Sequence, residues 1–166
     1  ILNKNVIIVD VRNSYEYRIG HFKNSINIFA NTFREQLHKI VFNLIKFKNK
    51  NIIMYCTGGI RCEKATAWLM YHGFNKVFHI KGGIIGYVNH AKKNKLPIFF
   101  KGKNFVFDLR MFEKITDDVL GSCYHCKKPY DIYINCKHSK CNLLFIQCLV
   151  CKTKYHDYCS LKCLYM

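Results

Sequence analysis

The sequence is poor in acidic residues and contains no long hydrophobic run. Asp and Glu account for only 10 of its 166 residues against 27 Lys and Arg, so the formal net charge is +17 and the pI is near 9.5. No apolar stretch approaches the roughly 20 residues that a membrane-spanning helix needs, and no secretory signal peptide is visible. We therefore expect no membrane partner. The chain starts at Ile1 rather than Met, inside an apparent first strand, which favours a fragment or a shortened product.

Apolar residues and cysteines are plentiful. Half of the residues are apolar, and 166 residues are enough for one well-cored domain and a small second one. The excess of cations favours a polyanionic partner, for which we predict RNA and expect no DNA; a general bias towards Lys, Asn and Ile is the alternative. Ten cysteines without a secretion signal indicate the reducing cytoplasm, with catalytic and metal-bound thiols rather than disulfides. The oligomeric state stays open.

Residues 51–70 predict a strand, a tight loop and a helix. An apolar run ends in Cys56, and Arg61 follows after four intervening residues, just before apolar side chains recur at helical spacing. Such a turn aims backbone N–H groups and the positive end of the helix dipole at one point. The loop is therefore predicted to hold an anion.

Cys56 is the predicted reactive thiol of this loop. The oriented N–H groups and the cation of Arg61 should lower its pKa below the usual value of roughly 8.5. Gly58 and Gly59 are predicted to adopt positive φ angles that close the backbone around the sulfur. Cys62 is either a half-buried packing residue or a thiol that resolves an oxidised or persulfidated Cys56 as a disulfide. For Cys56 itself, a buried structural cysteine is the alternative.

Short apolar strands alternate with helical segments over the first part of the chain. Thr32 is predicted to cap one helix, and Gly73 to end the helix that follows the loop. The alternation predicts an α/β domain over residues 1–95, with a parallel sheet and helices on both faces. The predicted strands cover residues 6–11, 25–28, 52–55 and 77–80, and a further helix covers residues 82–93.

Charged residues follow the first predicted strand. Asp10 lies near its carboxyl end, where open α/β sheets keep their sites. With Arg12 and Glu16 it is predicted either to form an ion-pair network that supports the loop or to be solvated at the surface. His21 is predicted to be structural rather than catalytic.

Residues 96–120 are predicted to form a basic, aromatic connector. The run at residues 98–110, IFFKGKNFVFDLR, interleaves phenylalanines with cations. Bases stack on aromatic rings while cations meet phosphates, so this composition suits RNA. A hairpin around Gly102 whose phenylalanines pack on the second domain is the alternative. The predicted RNA-binding residues are Lys101, Lys103 and Arg110.

Eight cysteines in four close pairs mark residues 121–166 as a small cysteine-rich domain. Eight thiolates are the ligands of two tetrahedral zinc ions, and metal binding supplies the folding free energy that so small a core lacks. We favour joining the first pair to the third and the second to the fourth, around structural zinc. Three histidines are substitute ligands, and an iron–sulfur cluster or disulfides are the alternatives. The pairs are Cys123 and Cys126, Cys136 and Cys141, Cys148 and Cys151, and Cys159 and Cys163, and the histidines are His125, His138 and His156.

These motifs resemble known families. Four segments carry the first resemblance: residues 56–61 (CTGGIR), residues 9–12 (VDVR), Glu16 and residues 20–21. Together they resemble the rhodanese domain, whose loop cysteine carries a persulfide. The longer strings MYCTGGIRCEKA and FKGKNFVFDLR, with the eight-cysteine tail, make nearly the whole chain similar to the bacterial tRNA wobble-uridine hydroxylases of the TrhO type. These contain a rhodanese domain and form 5-hydroxyuridine. Members of that family carry a further domain before this point and usually a basic tail after the last cysteine.

The resemblance implies oxygen-dependent hydroxylation of uracil C5 in tRNA, with molecular oxygen as co-substrate. Cys56 would be the nucleophile or the persulfide carrier, and Arg61 would steady negative charge. Sulfur transfer through a Cys56 persulfide is the alternative chemistry, and a non-catalytic RNA-binding module is the alternative of another class. Phosphatase activity is ranked last, because related phosphatases have one more residue between the cysteine and the arginine.

Overall fold

A four-stranded parallel sheet forms the centre of the first of two units, residues 1–117 and 118–166. The computed structural model describes residues 5–108 and 110–165. The predicted parallel sheet is confirmed, and the strand that leads into Cys56 is an inner one. In spatial order the strands are β3 (Ile26–Asn27), β1 (Val6–Asp10), β4 (Asn51–Tyr55) and β5 (Val77–His79).

Among the described residues of this unit, four α-helices and a short 3-10 helix (Ile45–Phe47) accompany the sheet. One of them begins as predicted at Thr32, whose hydroxyl accepts a hydrogen bond from the Glu35 backbone N–H at 3.2 Å and so satisfies a free donor of the first turn. The helix after the loop ends just before Gly73, which has a φ of 78°. The helices are α1 (Ser14–Ile19), α2 (Phe33–Leu44), α3 (Ile60–Tyr71) and α4 (Gly83–Lys93).

Both faces of the sheet carry apolar packing because strand side chains alternate in direction. On one face Val9 and Met54 share a core with Leu69 of α3 and with buried residues of α2. On the other face Ile8 packs against a cluster that contains Ile84 of α4. Each such side chain contributes about 1.5–3 kcal/mol when it is fully buried. The predicted cover of helices on both faces is confirmed.

A small antiparallel sheet extends this unit beyond residue 95, the end predicted for the first domain. It consists of β2 (Gly20–Phe22), β6 (Phe100–Phe105) and β7 (Phe112–Lys114). The alternative that placed a hairpin around Gly102 is wrong, because Gly102 lies inside β6 opposite Gly20 and the turn comes after Phe105. Phe100 is fully buried within the first unit.

The second unit is a short hairpin followed by two short helices. Its strands are β8 (Tyr133–Asn135) and β9 (Leu144–Ile146), and its helices are α5 (Leu149–Tyr155) and α6 (Leu161–Tyr165). Its buried cluster joins Phe145 to two cysteines, so the core is small. Among the described residues of the whole chain, no helix has the length and apolarity to cross a bilayer.

Candidate active site

The loop between β4 and α3 places a backbone hydrogen-bond donor at the sulfur of Cys56. The Gly59 backbone N–H donates to Cys56 Sγ at 3.1 Å, and the buried side chain of Cys62 lies in the same core as Cys56. Gly59 is the N-cap of α3, so the sulfur lies at the positive end of the helix dipole. The loop is therefore built to stabilise negative charge on Cys56.

The carbonyl groups of the same loop point away from the sulfur and are held by α4. The Cys56 carbonyl accepts from the Ile84 N–H at 2.9 Å, and the Thr57 carbonyl accepts from the Ile85 N–H at 3.2 Å. Gly83 has a φ of 61°, and a Cβ there would lie 2.3 Å from the Cys56 carbonyl oxygen. Only glycine fits this position, which sequence reasoning had assigned to a helix start alone.

The two loop glycines differ in conformation. Gly59 has a φ of 103°, as predicted, so a side chain there would be strained. The prediction of a positive φ is wrong for Gly58, which lies outside the left-handed region, and a Cβ added there meets no atom within 4 Å. The turn closes around the sulfur through a single left-handed residue, because the helical N-terminus supplies the remaining curvature.

The pKa of Cys56 is lowered to about 5. The largest cause is the hydrogen bond from the Cys62 thiol; burial acts in the opposite direction, and the N–H groups of Cys62 and Gly59 lower the pKa further. The charge of Arg61 contributes the least of these effects. The direction agrees with the expectation from the sequence, but the main cause is a neighbouring thiol rather than the cation.

Arg61 is engaged by a buried carboxylate. Its Nη1 donates to Glu16 Oε2 at 2.6 Å and its Nη2 to Glu16 Oε1 at 2.9 Å, and Glu16 has no exposed side-chain surface. Nη2 also donates to the Thr57 hydroxyl at 3.1 Å, and the guanidinium lies 5.7 Å from the centre of the Phe107 ring. Burial is the largest single effect and lowers the pKa of Arg61, but the hydrogen bond to Glu16 and the charges of Glu16 and Cys56 together raise the net pKa. The positive charge beside the loop is thus largely balanced.

A second buried ion pair lies at the carboxyl end of β1. Arg12 Nη2 donates to Asp10 Oδ2 at 2.6 Å and to the Gly20 carbonyl at 2.5 Å, and both charged side chains are fully buried. Burial is the largest single effect and lowers the pKa of Arg12, but the charge of Asp10 and the hydrogen bond to it, with smaller effects of Tyr55 and Glu16, together raise the net pKa. The alternative of solvated surface charges is wrong for these residues. His21 stacks on Tyr17, in line with its predicted structural role.

A pocket of about 410 Å³ opens beside the Cys56 loop. Three apolar side chains border it, of which Ile60 is 77% and Phe107 is 67% exposed. Exposed apolar groups of this kind mark a surface for a ligand with an apolar face. The pocket is lined by Asn13, Phe33, Cys56, Thr57, Gly58, Ile60, Arg61 and Phe107.

The predicted RNA-binding residues lie on β6 and in the turn after it. Lys101 and Lys103 alternate along β6, and the Lys103 ammonium lies 4.2 Å from the centre of the Phe112 ring. Arg110 forms a two-point ion pair with Asp108, with N–O distances of 3.0 and 2.6 Å. Their contact with RNA stays a prediction.

The eight cysteines of the second unit converge in two groups of four. Within each group the four sulfurs lie within 4.8 Å of one another. The groups join the first pair to the third and the second to the fourth, the arrangement favoured from the spacing. They consist of Cys123, Cys126, Cys148 and Cys151, and of Cys136, Cys141, Cys159 and Cys163.

The distances in both groups fit a tetrahedral metal ion. The sulfurs of Cys126 and Cys148 are 3.6 Å apart, as are those of Cys141 and Cys159. A zinc ion with bonds of roughly 2.3 Å to sulfur places its ligands about 3.8 Å apart, whereas a disulfide has a bond of about 2.0 Å. The groups therefore suit a shared cation, and none of the three substitute histidines belongs to them.

The fold and the loop define a class of protein that holds a cysteine of lowered pKa at the carboxyl end of a parallel sheet, between an inner strand and a helix. The chain belongs to the rhodanese-like domain family, whose model matches residues 1–90. A second family model, described as Rhodanase C-terminal, matches residues 101–164.

Similar proteins share one printed name. The chain is 59% identical over 162 residues to a tRNA uridine(34) hydroxylase of Buchnera aphidicola subsp. Acyrthosiphon pisum (strain Tuc7), covering 98% of this chain and 50% of that protein. It is 58% identical over 165 residues to the protein of that name from Wigglesworthia glossinidia brevipalpis, covering 98% and 52%. For Escherichia coli O139:H28 (strain E24377A / ETEC) the identity is 55% over 157 residues, covering 95% and 45%. The chain thus spans about half the length of these curated relatives.

Proposed function

We propose that this chain provides the catalytic part of an oxygen-dependent tRNA uridine hydroxylase that forms 5-hydroxyuridine at the wobble position. The observation that carries the proposal is the Cys56 thiolate, with a pKa of about 5, lining a pocket of about 410 Å³ with apolar borders. The printed names of relatives at 55–59% identity support it. tRNA is the proposed partner, molecular oxygen the proposed co-substrate, and the cytoplasm the proposed location.

The pocket suits a flat base that has been turned out of its stack. Its volume of about 410 Å³ falls within the roughly 300–1,000 Å³ of small-molecule sites. Phe33, Ile60 and Phe107 supply the apolar surface on which a single-stranded base stacks. The net charge of +17 attracts the phosphates that flank such a base.

The proposed chemistry begins with addition of the Cys56 thiolate to C6 of uracil. Negative charge then develops on C5 and O4, so C5 attacks an electrophilic oxygen. One oxygen atom of the co-substrate is retained, and the other leaves as water after a reductant has supplied two electrons. Loss of the C5 proton and of the thiolate from C6 yields 5-hydroxyuridine and free Cys56. Donors near the loop stabilise the negative charge of the adduct.

The other site residues are proposed to support this step. Arg61, held by Glu16, borders the base, while Gly58 and Gly59 shape the loop. The buried pair Asp10 and Arg12 fixes the end of β1 next to β4. The proposed RNA contacts beyond the pocket are Lys101, Lys103 and Arg110.

Two structural zinc ions are proposed for the second unit. Four thiolates around each ion complete a tetrahedral shell and leave no position for a substrate, so the ions would stabilise the fold rather than react. The ligands are the two groups of four cysteines whose sulfurs converge.

Sulfur transfer is the second candidate. The observation that favours it is the hydrogen bond of 3.1 Å from the Gly59 N–H to the Cys56 sulfur, a donor that would also stabilise the terminal sulfur of a persulfide. A thiosulfate donor would leave its sulfane sulfur on Cys56 and depart as sulfite, and a thiophilic acceptor would then remove that sulfur.

Nucleoside mass spectrometry tests the proposal. A hybrid gene, in which this chain replaces the matched 157 residues of the Escherichia coli relative, is expressed in a strain whose tRNA lacks 5-hydroxyuridine. We expect the modification to appear, and the Cys56→Ser hybrid to bind tRNA without producing it. Restoration by the Cys56→Ser hybrid would contradict both catalytic candidates. An inactive hybrid that still transfers sulfur from thiosulfate through Cys56 would favour the second.

A further inference from the structure

The solvent-exposed side of α3 carries large side chains that begin at the Cys56 pocket and continue along the helix. Ile60, which lines the pocket, is 77% exposed, and Tyr71 in the last turn is 82% exposed. Lys64 and Trp68 lie between them and are also exposed, so the four residues follow one another at intervals of three or four positions. Side chains at that spacing share one side of a helix. These four residues, the α3 face, extend the pocket by roughly 16 Å, the rise of eleven helical residues.

The packing of α3 against the sheet does not account for the α3 face. The buried residues of the helix are Cys62, Ala65 and Leu69, which belong to the core on the opposite side. The outward side of such a helix is ordinarily polar. A contiguous row of exposed apolar and aromatic groups instead marks a surface for binding.

The aromatic rings at the far end of the α3 face form a stacked platform. The ring centres of Trp68 and Tyr71 are 6.0 Å apart, and their planes differ by 21°. The His72 ring lies 4.4 Å from that of Trp68, and its Nδ1 donates to the Trp68 carbonyl oxygen at 2.8 Å. Flat, exposed rings of this kind are surfaces on which unpaired bases stack, whatever the sequence of the strand.

The charges around the α3 face favour a polyanion. Glu63 is the only acidic residue in positions 36–107, whereas lysines and arginines recur through this stretch. Lys64 belongs to the face itself, and the Lys48 ammonium reaches the end of the helix, 3.0 Å from the position of a Cβ added at Gly73. Cations interleaved with exposed rings suit single-stranded nucleic acid, because phosphates meet the ammonium groups while bases stack. An apolar protein partner would desolvate these cations without supplying a counter-charge.

We propose that the α3 face binds the single-stranded RNA next to the base that occupies the Cys56 pocket. The flanking bases stack on Trp68 and Tyr71, and Lys64 meets a phosphate. The inference rests on the proposed function, because it takes the pocket as the place of the target base. It adds the direction in which the strand leaves the pocket, along α3.

Binding of a fluorescent oligouridylate to the intact chain, measured by anisotropy, tests the proposal. Tyr71→Ala removes the most exposed ring of the face, and Tyr71→Phe keeps a ring. Phe42→Ala is the matched control, because Phe42 is 83% exposed but lies on α2. Lys64→Gln removes the charge within the face. A fully paired RNA is the second probe, since its bases are stacked on one another and do not reach the rings. Circular dichroism verifies that each variant is folded.

Tyr71→Ala should weaken oligouridylate binding about fivefold or more, whereas Tyr71→Phe and Phe42→Ala should bind as the native chain does. Lys64→Gln should lower the slope of log affinity against log salt by about 0.7, the value for one phosphate of a single strand. Binding of the paired RNA should be the same in Tyr71→Ala and the native chain.

Three results would overturn the proposal: native affinity in Tyr71→Ala, equal losses in Tyr71→Ala and Phe42→Ala, or an equal loss of affinity for the paired RNA. The assay contains neither an electron donor nor a modification step. A failure of hydroxylation with the expected binding profile intact would therefore refute the proposed function alone.

Discussion

In the first unit a single cysteine sulfur lies in a loop beside a pocket, whereas in the second unit eight cysteine sulfurs meet in two groups of four. The Cys56 sulfur accepts a hydrogen bond from the Gly59 backbone N–H at 3.1 Å, and its loop borders an open pocket. In the second unit the sulfurs lie close to other sulfurs, as in the 3.6 Å contact between Cys126 and Cys148. The same side chain therefore has two environments in this chain: one sulfur with a backbone donor beside a pocket, and groups of four sulfurs whose spacing suits a cation.

The surrounding backbone reinforces this difference. At Cys56 the donors come from the start of a 12-residue helix, and α4 holds the loop carbonyls away from the sulfur. In the second unit single N–H groups approach the sulfurs, as from Cys148 to Cys123 at 3.4 Å and from Cys159 to Cys136 at 3.5 Å. Such bonds orient metal ligands. The first arrangement leaves a sulfur reactive, and the second engages each sulfur fully once a metal is bound.

Metal removal is expected to have the largest effect. A strong chelator should unfold residues 118–166, because metal binding contributes about 10 kcal/mol or more to small cysteine domains. Amide hydrogen exchange read by mass spectrometry should show lost protection there and retained protection around β1 and β4. Elemental analysis should give two zinc ions per native chain, with fewer in Cys148→Ser and two in the control Cys56→Ser. A zinc-free native chain with an intact second unit would contradict the assignment.

Glu16→Gln is expected to have the next largest effect, within the first unit. The change leaves Arg61, whose side chain is 19% exposed, without its counter-charge. Removing one partner of a buried pair costs about 3 kcal/mol, measurable by urea unfolding. The control is Glu35→Gln, because Glu35 pairs with Lys39 at the surface with 41% of its side chain exposed, and such pairs contribute less than about 1 kcal/mol.

The Glu16→Gln variant also tests how strongly the charge of Arg61 affects the Cys56 thiol. Without Glu16 the charge of Arg61 is no longer balanced, so the pKa of Cys56 should fall further. The measurement is the rate at which iodoacetamide alkylates Cys56 as a function of pH. An unchanged profile would show that Arg61 lies too far from the sulfur to affect the pKa of Cys56. Equal stability losses for the Glu16 and Glu35 variants would show that burial of the Glu16 pair has no energetic consequence.

Sequence reasoning was most successful where the signal is local. The strand before Cys56, the cap at Thr32 and the grouping of cysteine pairs depend on spacings of a few residues. Partners in distant segments were not identified, since no local pattern reports them; an ion-pair network with Glu16 was one of two alternatives, but Arg61 was not named as its partner. Glu16 meets Arg61 across 45 positions, and Phe107 reaches the pocket only because β6 pairs with β2.

The conformation of single glycines also lay beyond the sequence. Gly58 and Gly59 are neighbours of the same type, and only the folded turn shows which of them has a positive φ. Gly82 and Gly83 indicated the start of α4 from the sequence alone. The need for glycine at Gly83, however, comes from the loop carbonyls that pack against it. The lowered pKa of Cys56 was predicted from the strand–loop–helix turn. The main cause of the shift was not predicted.

Gly59→Ala should destabilise the first unit by about 2 kcal/mol. A side chain at its φ of 103° is strained, and strain of this kind costs about 1–3 kcal/mol. The neighbouring control is Gly58→Ala, where an added Cβ meets open space and the stability should change by less than about 0.5 kcal/mol. Calorimetry of the zinc-loaded chain measures both. Equal losses would indicate that both residues need glycine, as the sequence first predicted.

Phe107→Ala should have the smallest effect and act on binding alone. The ring borders the pocket and is 67% exposed, so its loss should leave stability and Cys56 alkylation unchanged. Stacking on an aromatic ring contributes about 1–3 kcal/mol per base, so the KM for tRNA should rise roughly fivefold or more in the hydroxylation assay. Phe99→Ala, which removes a ring that is 63% exposed but does not line this pocket, is the matched control. If both variants raise KM equally, the phenylalanines contribute general RNA affinity, and the Cys56 pocket does not select the base by stacking.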